Sequence, residues 1–174
     1  MDGVPRLGPR TGGTGLMSIT IRPAVAGDGA TLTRMIRALA EHHGYEAHFS
    51  AQPEDYEKFL ADPAAINGAL IACWNGEPAG CATWQRSYST FIGRETIYME
   101  DISVLPDYRR KGIGSALLRA MARFVLDRGA PRLHWLLMAW NGEARRLYAE
   151  AGAVIEDGNC HCILEGEALE RLAS

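Results

Sequence analysis

Apolar residues recur along this chain with two different periods, and the changes between them mark out its elements. After Asp28, which is placed to cap a helix, Leu32, Met35, Ile36 and Leu39 fall at i, i+3, i+4 and i+7, the spacing of one helical face. The same spacing returns in Ile113, Ala116, Leu117, Ala120, Met121, Phe124 and Val125, and Gly129 is a good residue to close that helix. Ala144, Leu147, Tyr148 and Ala151 mark a third face between a capping Asn141 and Gly152, with Tyr148 pointing inward. A short helix is expected near Pro53 to Leu60. Strands are expected at Ser18 to Ile21, Ala69 to Trp74, Ala79 to Arg86, Thr96 to Val104, Leu133 to Met138 and about Asn159 to Leu164, the last followed by a short polar tail. Asn75-Gly76 joins two of them as a hairpin. The order predicts an α/β fold: a mixed, mostly antiparallel sheet with a helical pair inserted early, then strand, turn, helix, strand, helix and strand.

At 174 residues and 47% hydrophobic, the chain has length for one well-filled core, and residues 17–174 are expected to form a single domain. Residues 1–16, rich in Gly, Pro and Thr and without periodicity, read as a disordered tail or an expression remnant. A net charge of −3 argues against nucleic acid as a partner, because non-specific binding rests on a basic face. No apolar stretch approaches the roughly 20 residues that span a bilayer, and the start lacks the apolar core of a signal peptide. A soluble cytoplasmic protein without a membrane partner is expected. Cys73, Cys81, Cys160 and Cys162 contain no Cys-x-x-Cys pair and read as reduced thiols. In an extended Cys160-His161-Cys162 the two thiols share a face and the imidazole points away. His42, His43 and His48 complete no ligand pattern either, so no metal is expected.

Tyr108-Arg109-Arg110-Lys111-Gly112-Ile113-Gly114 sits between an expected strand and an expected helix. N–H groups at a helix start have no intrahelical partner, and with the helix dipole they attract anions. Gly112 and Gly114 remove side chains that would block a phosphate, and Arg109, Arg110 and Lys111 add positive charge. The spacing fits neither a Walker A loop, which needs Gly-Lys-Ser/Thr, nor a dinucleotide fingerprint, which needs a third glycine.

Arg109-x-x-Gly112-x-Gly114 resembles the acetyl-CoA turn of the Gcn5-related N-acetyltransferases. Ile21-Arg22-Pro23-Ala24, Tyr98-Met99-Glu100-Asp101-Ile102-Ser103-Val104, and Trp140-Asn141 with Tyr148 and Gly152 follow in the family's order. The Glu-Asp pair and the spacing from Trp-Asn to Tyr are similar to the diamine (spermidine/spermine) branch. The resemblance implies acetyl-CoA as co-substrate, held by Ile102, Ser103, Val104, Arg109, Arg110, Lys111, Gly112, Ile113, Gly114, Ser115 and Asn141. It also implies a homodimer, and it sets the 41–62 segment beside the acceptor.

Acetyl transfer from a thioester to an amine needs a base for the ammonium proton, donors for the oxyanion and an acid for the departing thiolate. Presenting an amine of pKa about 10.4 in its neutral form costs about 5 kcal/mol at pH 7. Glu100 and Asp101 are the candidate bases, since carboxylates are depleted from strand interiors. Adjacent strand residues face opposite ways, so the two share a task only across a local bulge. By the resemblance such a splay exists, Glu100 accepts the proton through water, Asp101 holds a cationic acceptor, the N–H of Ile102 serves the oxyanion, and Tyr148 protonates the thiolate. On residue pattern alone Glu100 or Asp101 is equally a solvated charge on an edge, Tyr148 a core residue, and Asn141 simply a cap. The expected activity is direct acetylation of a small amine, with polyamines first and thialysine-like amino acids second. A non-catalytic acyl-CoA-binding module and a protein-amine acetyltransferase are the competing readings.

Overall fold

The computed structural model describes residues 18–61, 66–158 and 166–173. They fall into two compact units that divide between Leu136 and Leu137. In the first, β1 (Ile19–Pro23) leads to α1 (Gly29–His43), a short 3-10 turn at Glu46–His48 and α2 (Pro53–Leu60). Then come β2 (Asn67–Trp74), β3 (Glu77–Ser89), β4 (Arg94–Val104), a second 3-10 turn at Pro106–Tyr108, α3 (Ile113–Asp127) and β5 (Leu133–His134). The second unit holds α4 (Gly142–Glu150) and α5 (Gly166–Ala173).

The five strands lie in chain order, antiparallel from β1 to β4 and parallel between β4 and β5. Asn75 and Gly76 both take positive φ, 52° and 89°, which matches the right-handed twist of the strands they join. Leu32 and Met35 of α1 pack with Ala69, Ile71, Cys73 and Cys81 of the sheet, flanked by Tyr56, Phe59 and Leu60 of α2. The alternate residues face α3: a Cβ on Gly80 would lie 2.6 Å from the Ser103 carbonyl and close to Ile113 and Leu117. Trp84 stacks on Phe124 of the same helix, ring centres 4.4 Å apart. Both faces of the sheet are therefore covered, and β4 runs between the two layers with its C-terminal end leading through the Pro106–Tyr108 turn to α3.

Four local expectations are corrected. Asp28 occupies the N-cap position of α1, but its carboxylate does not cap the helix. It accepts both Arg22 guanidinium nitrogens, at 2.6 and 2.7 Å, and the Val25 N–H at 2.8 Å, which pull its pKa down. Glu57, reaching from α2, takes the N–H groups of Gly27 (2.8 Å) and Gly29 (2.7 Å) instead. β1 begins at Ile19, one residue beyond Ser18, whose N–H is taken by the Asn75 side chain (3.0 Å). β5 is shorter than the 133–138 run: pairing stops at His134, and Leu136 is exposed despite its apolar character. The chain's end carries α5 where a polar tail was expected, because Leu169 and Leu172 give it an amphipathic helical pattern. The expected tail at residues 1–16, the strand at 159–164 and Cys160-His161-Cys162 lie outside the described residues.

Candidate active site

The strand that carries the two acids is irregular at the point where they sit. Thr83 pairs with Asp101, but Trp84 pairs with Met99, so Glu100 is an extra residue in β4 opposite the Thr83/Trp84 step. Strict alternation would send Glu100 and Asp101 to opposite faces. The bulge breaks it: Asp101 accepts from the Thr83 hydroxyl (3.3 Å) and Glu100 lies 3.5 Å from the Gln85 amide, and Thr83 and Gln85 share one face of β3. Both carboxylates therefore sit on the face covered by α1 and α2. On its other side β4 pairs with β5 only at Ile97 and Tyr98, and that ladder ends before the bulge.

The two acids differ in environment. Glu100 is exposed, whereas Asp101 is partly buried. Loss of water and the neighbouring Glu100 charge push Asp101 up to about 6, opposed by the Thr83 hydrogen bond. Its charge is felt in turn by Tyr56 of α2, pushed up to about 12, and by Tyr98 and the fully buried Cys81 thiol, both raised mainly by burial. Tyr56, Thr83 and Gln85 were not singled out in the sequence, and Cys81 was read there only as a reduced thiol. The period-2 set Cys81, Thr83, Gln85 was visible there, but its meeting with Asp101 depends on cross-strand register.

From the bulge, β4 continues through Ile102 and Ser103 to Val104. Ser103 is buried and its hydroxyl donates to the Met35 carbonyl of α1 (2.8 Å), which commits that proton to packing against the helix. The Arg109 Nε returns to the Val104 carbonyl (3.2 Å), tying the turn to the end of the strand. Arg110 is left-handed (φ 62°), as is Gly112 (φ 80°), which stands at the N-cap of α3 without offering a side chain. A Cβ on Gly112 would meet only Ile19, at 3.9 Å, so the space before the helix start is kept clear by the glycine and not filled by packing. The helical ladder opens with Ala116 donating to the Gly112 carbonyl (3.0 Å), which leaves the N–H groups of Ile113, Gly114 and Ser115 ahead of it. Ile113 itself is buried and contributes through its backbone. Lys111 is directed elsewhere: its ammonium donates to the Asp107 carbonyl (2.8 Å) and lies over the Trp74 and Tyr108 rings. This bare, uncapped start beside Arg109 and Arg110 fits a pyrophosphate, and so fits coenzyme A.

Asn141 and Tyr148 belong to the second unit. Asn141 caps α4 as expected, its side chain accepting the Ala144 N–H at 3.0 Å, and Tyr148 is the buried residue of that helix. Among the described residues no group of three His, Cys, Asp or Glu is placed to hold a metal ion. His42, His43, Tyr45 and His48 instead form a run of ring contacts with centres 5.7 to 6.3 Å apart. No helix among the described residues is long and apolar enough to cross a membrane.

A mixed sheet whose fourth strand delivers a bulged acidic pair and then an open helix start is the framework of an acetyl-CoA-dependent N-acetyltransferase. Residues 32–153 match the model of the acetyltransferase (GNAT) family, and the chain belongs to that family. It is 36% identical to thialysine N-epsilon-acetyltransferase of Bos taurus over 166 residues, which is 89% of this chain and 97% of that protein. The Sus scrofa protein of the same name is 36% identical over 172 residues, 91% of this chain and 99% of its own length. L-ornithine N5-acetyltransferase NATA1 of Arabidopsis thaliana is 33% identical over 118 residues, covering 68% of this chain and 48% of that one. An aminoglycoside acetyltransferase from an uncultured soil metagenomic sample, solved with sisomicin, shares the fold with a TM-score of 0.72 at 16% identity, over 84% of this chain and 95% of that chain.

Proposed function

We propose that this enzyme moves the acetyl group of acetyl-CoA onto the terminal amine of a small diamino compound, with side-chain amines of the thialysine or ornithine kind ahead of polyamines. The observation that carries this reading is the β4 bulge, which sets Glu100 and Asp101 on one face of the strand that leads towards the Arg109–Gly114 turn. The preference for an amino-acid acceptor rests on the names of the relatives, two of them matched over nearly their whole length. The paired negative charges equally suit a polyamine, which remains the second reading.

Bound at the turn, acetyl-CoA supplies a thioester-activated acetyl group. The N–H groups of Gly112, Ile113, Gly114 and Ser115 and the guanidinium groups of Arg109 and Arg110 would hold its pyrophosphate. A carboxylate of the bulge lowers the cost of about 5 kcal/mol for stripping the ammonium proton at pH 7. The family resemblance assigns Tyr148 the role of proton donor to the departing sulfur and the Ile102 N–H that of oxyanion donor, and both roles are part of this proposal. Direct attack by the amine is supported by the thiols. Among the described residues Cys73 and Cys81 are both buried, and burial with the nearby Asp101 charge pushes the Cys81 thiol far up, away from thiolate. The test is a panel of acceptors with acetyl-CoA, products identified by mass: thialysine, ornithine, lysine, spermidine, a diamine and a monoamine. Acetylated thialysine or ornithine as the best product supports the reading, spermidine as the best product moves the polyamine ahead, and no acetylated amine refutes it.

A further inference from the structure

The bulge places two carboxylates at the site but gives them unequal surroundings, and that inequality divides their work. Asp101 is partly buried, and only its Oδ2 has a partner, the Thr83 hydroxyl, leaving Oδ1 without a donor among the described residues. Around it stand Glu100 and Tyr98 of β4, Cys81 and Thr83 of β3 and Tyr56 of α2, while α1 meets the next residue pair through the Met35 carbonyl taken by Ser103. None of these named neighbours carries a positive charge that would hold Asp101 as a permanent anion. Glu100, by contrast, is exposed, with the Gln85 amide 3.5 Å from its carboxylate.

We propose that Asp101 is the catalytic residue that takes the proton of the acceptor amine, and that Glu100 holds the acceptor's cationic part beside it. The proposal rests on the acetyl-transfer reading above and exchanges the two roles that the family resemblance implied. In the step itself the ammonium N–H bond breaks and its proton passes to Asp101 Oδ1. The electron pair left on nitrogen forms the new bond to the acetyl carbonyl carbon as the carbon–sulfur bond breaks. Its electrons leave with the sulfur, which takes a proton from the acid, while the second proton shed by the acylated nitrogen restores the acid, and Asp101 releases its own proton to solvent after the amide departs. A shift from an ordinary 3.8 to about 6 makes Asp101 a proton acceptor about 100-fold stronger, yet leaves it about 90% ionised at pH 7. Proton-accepting strength and ionisation at working pH are thus met together.

Three substitutions give a pattern of signs that a structural role would not produce. The acid limb of the kcat/KM profile of the wild-type enzyme, measured with the best acceptor from the panel, is expected near pH 6. Glu100→Gln removes the charge that raises Asp101, so the limb moves to lower pH, while KM for a dicationic acceptor rises more than for a monoamine. Thr83→Val removes the hydrogen bond that opposes the shift, so the limb moves to higher pH. Asp101→Asn abolishes the limb and lowers kcat at least 100-fold, with acetyl-CoA affinity retained as the check on folding. Carboxyl 13C NMR of the wild-type protein reads Asp101 without turnover, and titration near 6 is expected. An active enzyme whose Asp101→Asn form keeps the limb and a kcat within tenfold of wild type overturns the proposal alone, as does loss of the limb in Glu100→Gln or an Asp101 carboxyl titrating at the ordinary value. A wild-type protein that acetylates no amine overturns the functional reading and the proposal with it.

Discussion

Replacing Asp101 by Asn should make the protein more stable at neutral pH while disabling it. The folded state raises the Asp101 pKa from 3.8 to about 6, so this group's contribution to stability is fully present below 3.8 and is lost as pH rises through about 6. A shift of about 2 units at 1.36 kcal/mol each sets an upper bound of about 3 kcal/mol. Solvent screening of a partly exposed group reduces this to about 1 to 2 kcal/mol. Asn keeps the shape and stays neutral, so it escapes the loss. Urea unfolding of both proteins from pH 4 to 8 measures the difference directly. Near pH 4, where Asp101 is protonated in the wild type, the two should be about equal, and the variant should gain about 1 to 2 kcal/mol by pH 7.5. A stability difference that does not change with pH would refute the claim that burial and Glu100 disfavour the Asp101 charge.

Three further outcomes follow from the geometry. Gly112→Ala should weaken acetyl-CoA binding by calorimetry at least tenfold, since a methyl group enters the space before the α3 N–H groups, and should cost about 1 kcal/mol of stability for a left-handed alanine. Unchanged affinity would remove the turn from the cofactor site. Tyr148→Phe should lower kcat by about 100- to 10,000-fold at unchanged acetyl-CoA affinity, and a kcat close to wild type would make Tyr148 a core residue. Glu57→Ala should cost about 1 to 2 kcal/mol in urea unfolding, because the N–H groups of Gly27 and Gly29 lose their acceptor and α1 its negative partner.

Much of this arrangement was legible because it is local. Asn75-Gly76 takes the left-handed pair of a tight hairpin, and Arg109-x-x-Gly112-x-Gly114 sets an uncapped helix start within six consecutive residues. Pro53 at the first position of α2 and the apolar stripe of α3 likewise act within one turn of helix. What escaped the sequence depends on distant partners. Alternation read along β4 alone sends Glu100 and Asp101 apart; the family resemblance implied a splay there, but the register shift against Thr83 and Trp84 that brings both to one face is set by the neighbouring strand. Asp28 has the chemistry of a cap, yet Arg22 claims its carboxylate and a glutamate 28 residues beyond Gly29 does the capping. Tyr56 could not be connected with Asp101 before α2 was known to cover that face of the sheet. β5 fell short of its apolar run because pairing partners, not hydrophobicity, decide where a strand stops.

The central claim is direct transfer from acetyl-CoA to a small terminal amine, and rapid quench with label in the acetyl group tests it most directly. Protein incubated with labelled acetyl-CoA alone should carry no label, and addition of thialysine or ornithine should move the label onto the side-chain nitrogen of the small molecule within one turnover. Label on the protein that forms and decays at the rate of turnover, or no labelled amide with any amine, would contradict the account.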